Sequence, residues 1–219
     1  LTAEEQQMGE FVSVILGETE DVFGQAVRDQ SGLAYSDPQM VLYSGVTQSG
    51  CGGASAQMGP FYCPVDQKVY LDTDFFKTMR DRMGAGGDLA AAYVIAHEVG
   101  HHVQNQLGIL GQTMQARQQS DQVTANRISV LTELQADCFA GIWARQANEQ
   151  FGSLEPGDVE EAIGAAEAVG DDTLMANAGR AGVPDAFTHG SSEQRMEWFQ
   201  RGFKTGQLGQ CDTFKAAGM

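Results

Sequence analysis

Leu89-Ala-Ala-Ala-Tyr-Val-Ile-Ala-His-Glu-Val-Gly-His-His-Val-Gln-Asn-Gln-Leu107 is the stretch on which the reading turns. From Leu89 to Ala96 it is unbroken apolar sequence, and Val99 and Val103 extend that character at helical spacing. Asp88 is suited to cap its start and Gly108 to stop it, so the spacing predicts a mostly buried helix. Three of the four histidines of the chain lie inside it, at 97, 101 and 102. Residues i and i+4 share a helix face, so the imidazoles of His97 and His101 point the same way and can hold one Zn2+ ion. Glu98 sits one position round from that row, near the metal without being a ligand. There it can take a proton from water and pass it to a leaving amine. His102 is turned about 100° from the row and is expected at the rim or as support for the site. Tyr93, one turn before His97, is expected in the core.

A catalytic zinc needs three protein ligands and one open position. The longer motif H-E-x-x-H-x-x-G-x-x-H is excluded, because Gln104 and Leu107 stand where it needs Gly and His. The third ligand is instead expected at Glu133, in Glu133-Leu-Gln-Ala-Asp137. Glu133 and Asp137 are again i and i+4, surrounded by Leu134, Ala136, Cys138 and Phe139, so both carboxylates share one face of a second buried helix. Asp137 is then placed to hydrogen-bond the far nitrogen of a ligand histidine, fixing its tautomer. His189, in a loop, is a candidate donor to the oxyanion of the reaction, with Arg195 reaching back to a carboxylate or to the site.

Outward from these two helices, the pattern is helix, a small antiparallel sheet, then several helices, an α+β arrangement in one domain over 1–219. A capping box at Thr2-Ala-Glu-Glu5 and apolar positions at Met8, Phe11, Val12, Ile15, Val22 and Phe23 predict a first helix over 3–29, with a possible break at Gly17. Met40–Tyr43 reads as a strand, 49–59 as a Gly-rich loop, and Phe61-Tyr62 with Lys68–Leu71 as a hairpin. Short helices are expected over 74–83 and 158–169, a long one over 120–150, and a last one from the capping box Ser191-Ser-Glu-Gln194 to Gly206. Gly170-Asp-Asp172 lacks the ligand spacing of a calcium loop and reads as a helix break followed by N-caps. Residues 54–62 are a candidate edge strand for an extended peptide, against the alternative of a plain loop.

Lys plus Arg number 13 against 29 Asp plus Glu, a formal charge of −16 that repels phosphate backbones, so no nucleic-acid partner is expected. The apolar run 89–96 is far too short to cross a bilayer. The chain opens at Leu1 without a methionine, which leaves room for an export signal or membrane anchor ahead of it. Cys51, Cys63, Cys138 and Cys211 include no C-x-x-C pair. Three connectivities are open, of which Cys51 with Cys63 and Cys138 with Cys211 is the simplest, and two bridges would imply an oxidising compartment.

GPFYCPVDQKVYLDTDFF (59–76), AHEVGHHVQNQLGI (96–109), ELQADCFAGIWA (133–144) and FTHGSSEQRMEWFQRGF (187–203) together resemble the bacterial putative neutral zinc metallopeptidase family, a gluzincin-type group. The resemblance implies a zincin-like fold with His97, His101 and Glu133 as zinc ligands and Glu98 as catalytic acid/base. It also implies a peptide or protein substrate and an extracytoplasmic location in the cell envelope with an N-terminal anchor. The competing expectation is a non-catalytic envelope protein that keeps zinc for binding or stability. Glu98 separates the two, since a structural site has no use for a base there.

Overall fold

The computed structural model describes residues 3–55, 59–75, 87–152, 154–155, 157–168, 170–179 and 183–219. Helix α1 (Ala3–Ser31) packs a stripe of Val12, Ile15, Val22, Phe23 and Val27 inward. It runs through Gly17 without a break, because the buried stripe continues on both sides of that residue. Among the described residues five strands follow: β1 (Gln39–Tyr43), β2 (Val46–Ser49), β3 (Gly52–Ser55), β4 (Phe61–Cys63) and β5 (Lys68–Asp72).

β4 and β5 form the expected hairpin, with Phe61 opposite Tyr70. β1 pairs with the other side of β5 in parallel, Gln39 opposite Lys68 through Tyr43 opposite Asp72, so the sheet is mixed and not wholly antiparallel. The segment 44–67 is long enough to return the chain to the starting end of β1, as a parallel pair requires. Part of that segment is an antiparallel ribbon of β2 and β3, so strand structure begins inside the stretch 49–59 read as a Gly-rich loop. Cys51, at its turn, is bonded to Cys63 of β4.

The helical remainder comprises α2 (Asp88–Gln106), α3 (Ile109–Gln118), α4 (Gln122–Phe151), α5 (Asp158–Ala168), α6 (Asp171–Asn177), α7 (Ser192–Thr205) and the short α8 (Thr213–Ala216). α2 lies at the centre, with Ala90, Ile95, Ala96, Val99 and Val103 fully enclosed. Gly87, not Asp88, holds its N-cap position, and the Ala90 amide donates to the Glu161 carboxylate of α5. α3 was not anticipated. Gly108, in the left-handed conformation at φ 77°, redirects the chain into it, and only Thr113 of its residues is buried. Asp121 caps α4 by accepting from the Thr124 amide, and the Ser191 capping box opens α7 as expected.

Close backbone approaches bring the site helices together. A Cβ on Gly100 would lie 3.1 Å from the Ala136 carbonyl oxygen, so this glycine lets α2 and α4 meet beside the motif. Where α4 crosses α7 the approach is tighter. A Cβ on Gly202 would fall 1.8 Å from the Cys138 carbonyl oxygen, and one on Gly141 2.0 Å from that of Phe199. The Cys138–Cys211 disulfide fastens the C-terminal segment to α4 beside that crossing. Two disulfides fit an extracellular or periplasmic location. Among the described residues no helix is long and apolar enough to cross a membrane. The expected capping box at Thr2, most of the expected helix over 74–83, and residues 56–58 of the candidate edge strand lie outside the described residues.

Candidate metal centre

His97 and His101 project from α2 toward α4, their ring centroids 4.8 Å apart and nearly perpendicular. Glu133 of α4 meets both: its Oε2 is 3.1 Å from His97 Nε2 and its Oε1 is 3.4 Å from His101 Nε2. One donor atom from each of the three lies within 4.8 Å of the others, and no other such group gathers among the described residues. Two imidazoles and a carboxylate are a donor set that zinc accepts. The three line a cleft of about 350 Å³, which leaves one side open for solvent or substrate. The residues therefore fit the ion.

Behind His97, its Nδ1 donates to Asp137 Oδ1 at 2.8 Å. Asp137 is fully enclosed and also receives Arg195 Nε on Oδ2 at 2.8 Å, Arg195 Nη2 on Oδ1 at 3.0 Å, and the Tyr93 hydroxyl on Oδ1. Arg195 thus reaches back to a carboxylate and is itself buried. Tyr93 is in the core as expected, but its hydroxyl belongs to this network. Helical spacing of apolar residues accounts for the ring and not for the oxygen.

Burial works against charge on His97, and the Asp137 and Glu133 carboxylates overcome it, raising the imidazole to about 10. Burial pushes Glu133 upward, yet the two histidines bring it well below the usual carboxylate range. Burial raises Asp137 too, and Arg195 and His97 reverse that. Glu98 differs. It lines the cleft, has no hydrogen-bond partner among the described residues, and is raised, chiefly by burial.

His189 also lines the cleft. Its Nδ1 is 3.2 Å from Asp171 Oδ1, and Asp171 Oδ2 accepts the amides of Thr188, His189 and Gly190. Gly170, not an aspartate, holds the N-cap position of α6; Asp171 instead holds the whole His189 turn, while Asp172 accepts from the Ser192 amide and hydroxyl. The acid-rich break was the visible signal, but its partner lay 18 residues on. His102 is not at the rim. It is buried on a face of α2 turned from the ligand row, bonded to the Tyr62 hydroxyl and the Ser36 carbonyl.

A protein of Escherichia coli K12, the uncharacterized protein YpfJ, is 50% identical over 214 residues, covering 98% of this chain and 74% of its own. The uncharacterized protein Rv2575 of Mycobacterium tuberculosis is 47% identical over 193 residues, 84% of this chain and 64% of its own. No solved structure matches the chain. The family model described as putative neutral zinc metallopeptidase matches residues 1–214, and the chain belongs to that family.

Proposed function

We propose that residues 1–219 form one domain that hydrolyses peptide bonds with zinc, held by His97, His101 and Glu133. The observation that carries this is Glu98, a buried carboxylate with no hydrogen-bond partner among the described residues, beside three converged ligand atoms. Zinc in that position supplies a Lewis acid and brings the pKa of water toward neutrality.

Glu98 then takes the proton of the attacking water on a carboxylate oxygen and delivers it to the leaving amine nitrogen. Its raised pKa suits that exchange, since a base serves best near the working pH. His189, steadied by Asp171 at Nδ1, turns Nε2 to the carbonyl oxygen as negative charge develops there. Asp137, Arg195 and Tyr93 keep the His97 ring oriented. β4 is an edge of the mixed sheet, and Gly59, Pro60, Phe61 and Tyr62 line the cleft. An extended substrate can add along that edge through main-chain hydrogen bonds.

The test is digestion of a peptide library by wild type beside Glu98→Gln, with zinc content measured in both. Wild type should cleave and stop when chelated. Glu98→Gln should hold zinc equally and lose about 10²–10⁴-fold in turnover. Undiminished cleavage by the variant removes Glu98 as base. A zinc-loaded wild type that cleaves nothing favours the non-enzymatic reading.

A further inference from the structure

Behind His101 stands an amide where His97 has a carboxylate. His101 Nδ1 lies 2.8 Å from Oε1 of Gln104, a fully buried residue three positions along α2. Gln104 Nε2 donates to the Thr132 carbonyl at 2.8 Å and to Gln135 Oε1 at 2.9 Å. Gln135 Nε2 donates in turn to the Cys211 carbonyl at 3.0 Å.

A side-chain amide can be turned over without changing its outline, so its orientation has to be argued from its neighbours. The Thr132 and Cys211 carbonyl oxygens only accept. Each glutamine must therefore turn its NH₂ to a carbonyl, which leaves Gln104 Oε1 facing His101. That oxygen also only accepts, so Nδ1 carries a hydrogen, and Nε2, on the Glu133 side, is the nitrogen left to a metal. A carboxylate at position 104 would set negative oxygens against both the Thr132 carbonyl and Gln135 Oε1. The neutral amide satisfies all three neighbours at once. The far end is held firmly: Cys211 is bonded to Cys138, and Thr213 Oγ1 donates to the Leu131 carbonyl at 2.6 Å.

We infer that Gln104 and Gln135 are positioning residues: a buried amide relay, ending on the disulfide-held C-terminal segment, sets His101 to bind metal through Nε2. The inference rests on the metal reading of the site. Its test is zinc affinity by chelator competition for wild type, Gln104→Met and Gln135→Met, with ¹⁵N–¹H spectra of the zinc-loaded histidine rings. Gln104→Met should weaken zinc binding about 10–100-fold and speed exchange of the His101 Nδ1 hydrogen. Gln135→Met should do the same to a smaller degree, since Gln104 keeps Thr132. Wild type should show Nε2 ligation and a slowly exchanging Nδ1 hydrogen, a measurement that needs no variant to fold. Wild type that binds no zinc overturns the metal reading itself. Wild type that binds zinc while both variants bind as tightly, or ligation of His101 through Nδ1, overturns the relay alone.

Discussion

The two faces of α2 carry the same residue type to opposite ends. On one face, His97 and His101 each give Nδ1 to an acceptor, Asp137 or Gln104, and leave Nε2 turned to Glu133. On the other, His102 gives Nε2 to the Ser36 carbonyl at 2.6 Å. Its Nδ1 accepts from the Tyr62 hydroxyl at 2.9 Å, and that hydroxyl accepts from Asn105. Both nitrogens of His102 are consumed, so it ties α2 to β4 and to the segment after α1. A histidine can serve as a metal ligand when one nitrogen is tethered and the other faces the cleft. Adjacency to a motif does not decide it.

The charge states divide the same way. Carboxylates hold His97 up to about 10, whereas burial pulls His102 below its ordinary value. In metal-free protein the His97 contribution to stability is therefore complete below pH about 6.5 and is lost as pH climbs toward its folded pKa. The His102 contribution has the opposite sign. It is present above pH about 6.5 and fades as pH falls below that value.

The sharpest way to break this comparison is Asp137→Asn. It weakens the tether of His97 and removes the charged half of the buried Asp137–Arg195 pair, a loss of up to about 3–5 kcal/mol. Thermal unfolding should fall accordingly, and zinc affinity should drop about 10–100-fold. A variant with wild-type melting and zinc affinity would show that His97 needs no tether.

Proton release comes next in size. Zinc must displace the proton of His97, so apparent affinity should rise with pH between roughly 7 and 9, at most tenfold per unit for each proton displaced. Calorimetry in two buffers of different ionisation enthalpy counts those protons. A count of zero at neutral pH would contradict the charged, metal-free face.

The smallest functional effect belongs to the other face. His102→Phe should cost about 1–3 kcal/mol of stability through the orphaned Ser36 carbonyl and Tyr62 hydroxyl. Zinc stoichiometry should stay at the wild-type value. Loss of zinc from a folded His102→Phe protein would erase the distinction between the faces.

Much of the site could be read in advance because it is local in the chain. His97 and His101 are a turn apart, as are Glu133 and Asp137, and helical geometry alone puts each pair on one face. Gln104 was equally close to His101, but its visible meaning was only that a longer zinc motif is absent. Its role depends on Thr132 and Gln135, which are 28 and 31 residues away. Asp171 read as a cap because its other partners, the amides of 188–190, are reached only through the fold. The parallel pairing of β1 with β5 was hidden for the same reason: strand direction leaves no mark in so short a run as Met40–Tyr43.

Periodicity, motif spacing and composition thus determined the long helices, the faces that pair His97 with His101 and Glu133 with Asp137, and the excess of negative charge, since these follow from short-range geometry and residue counts. Tertiary structure decided which nitrogen of each histidine is tethered, which acceptor holds it, and which way the first strand runs. Each of those depends on a hydrogen bond between groups distant in the chain, and only packing selects such partners.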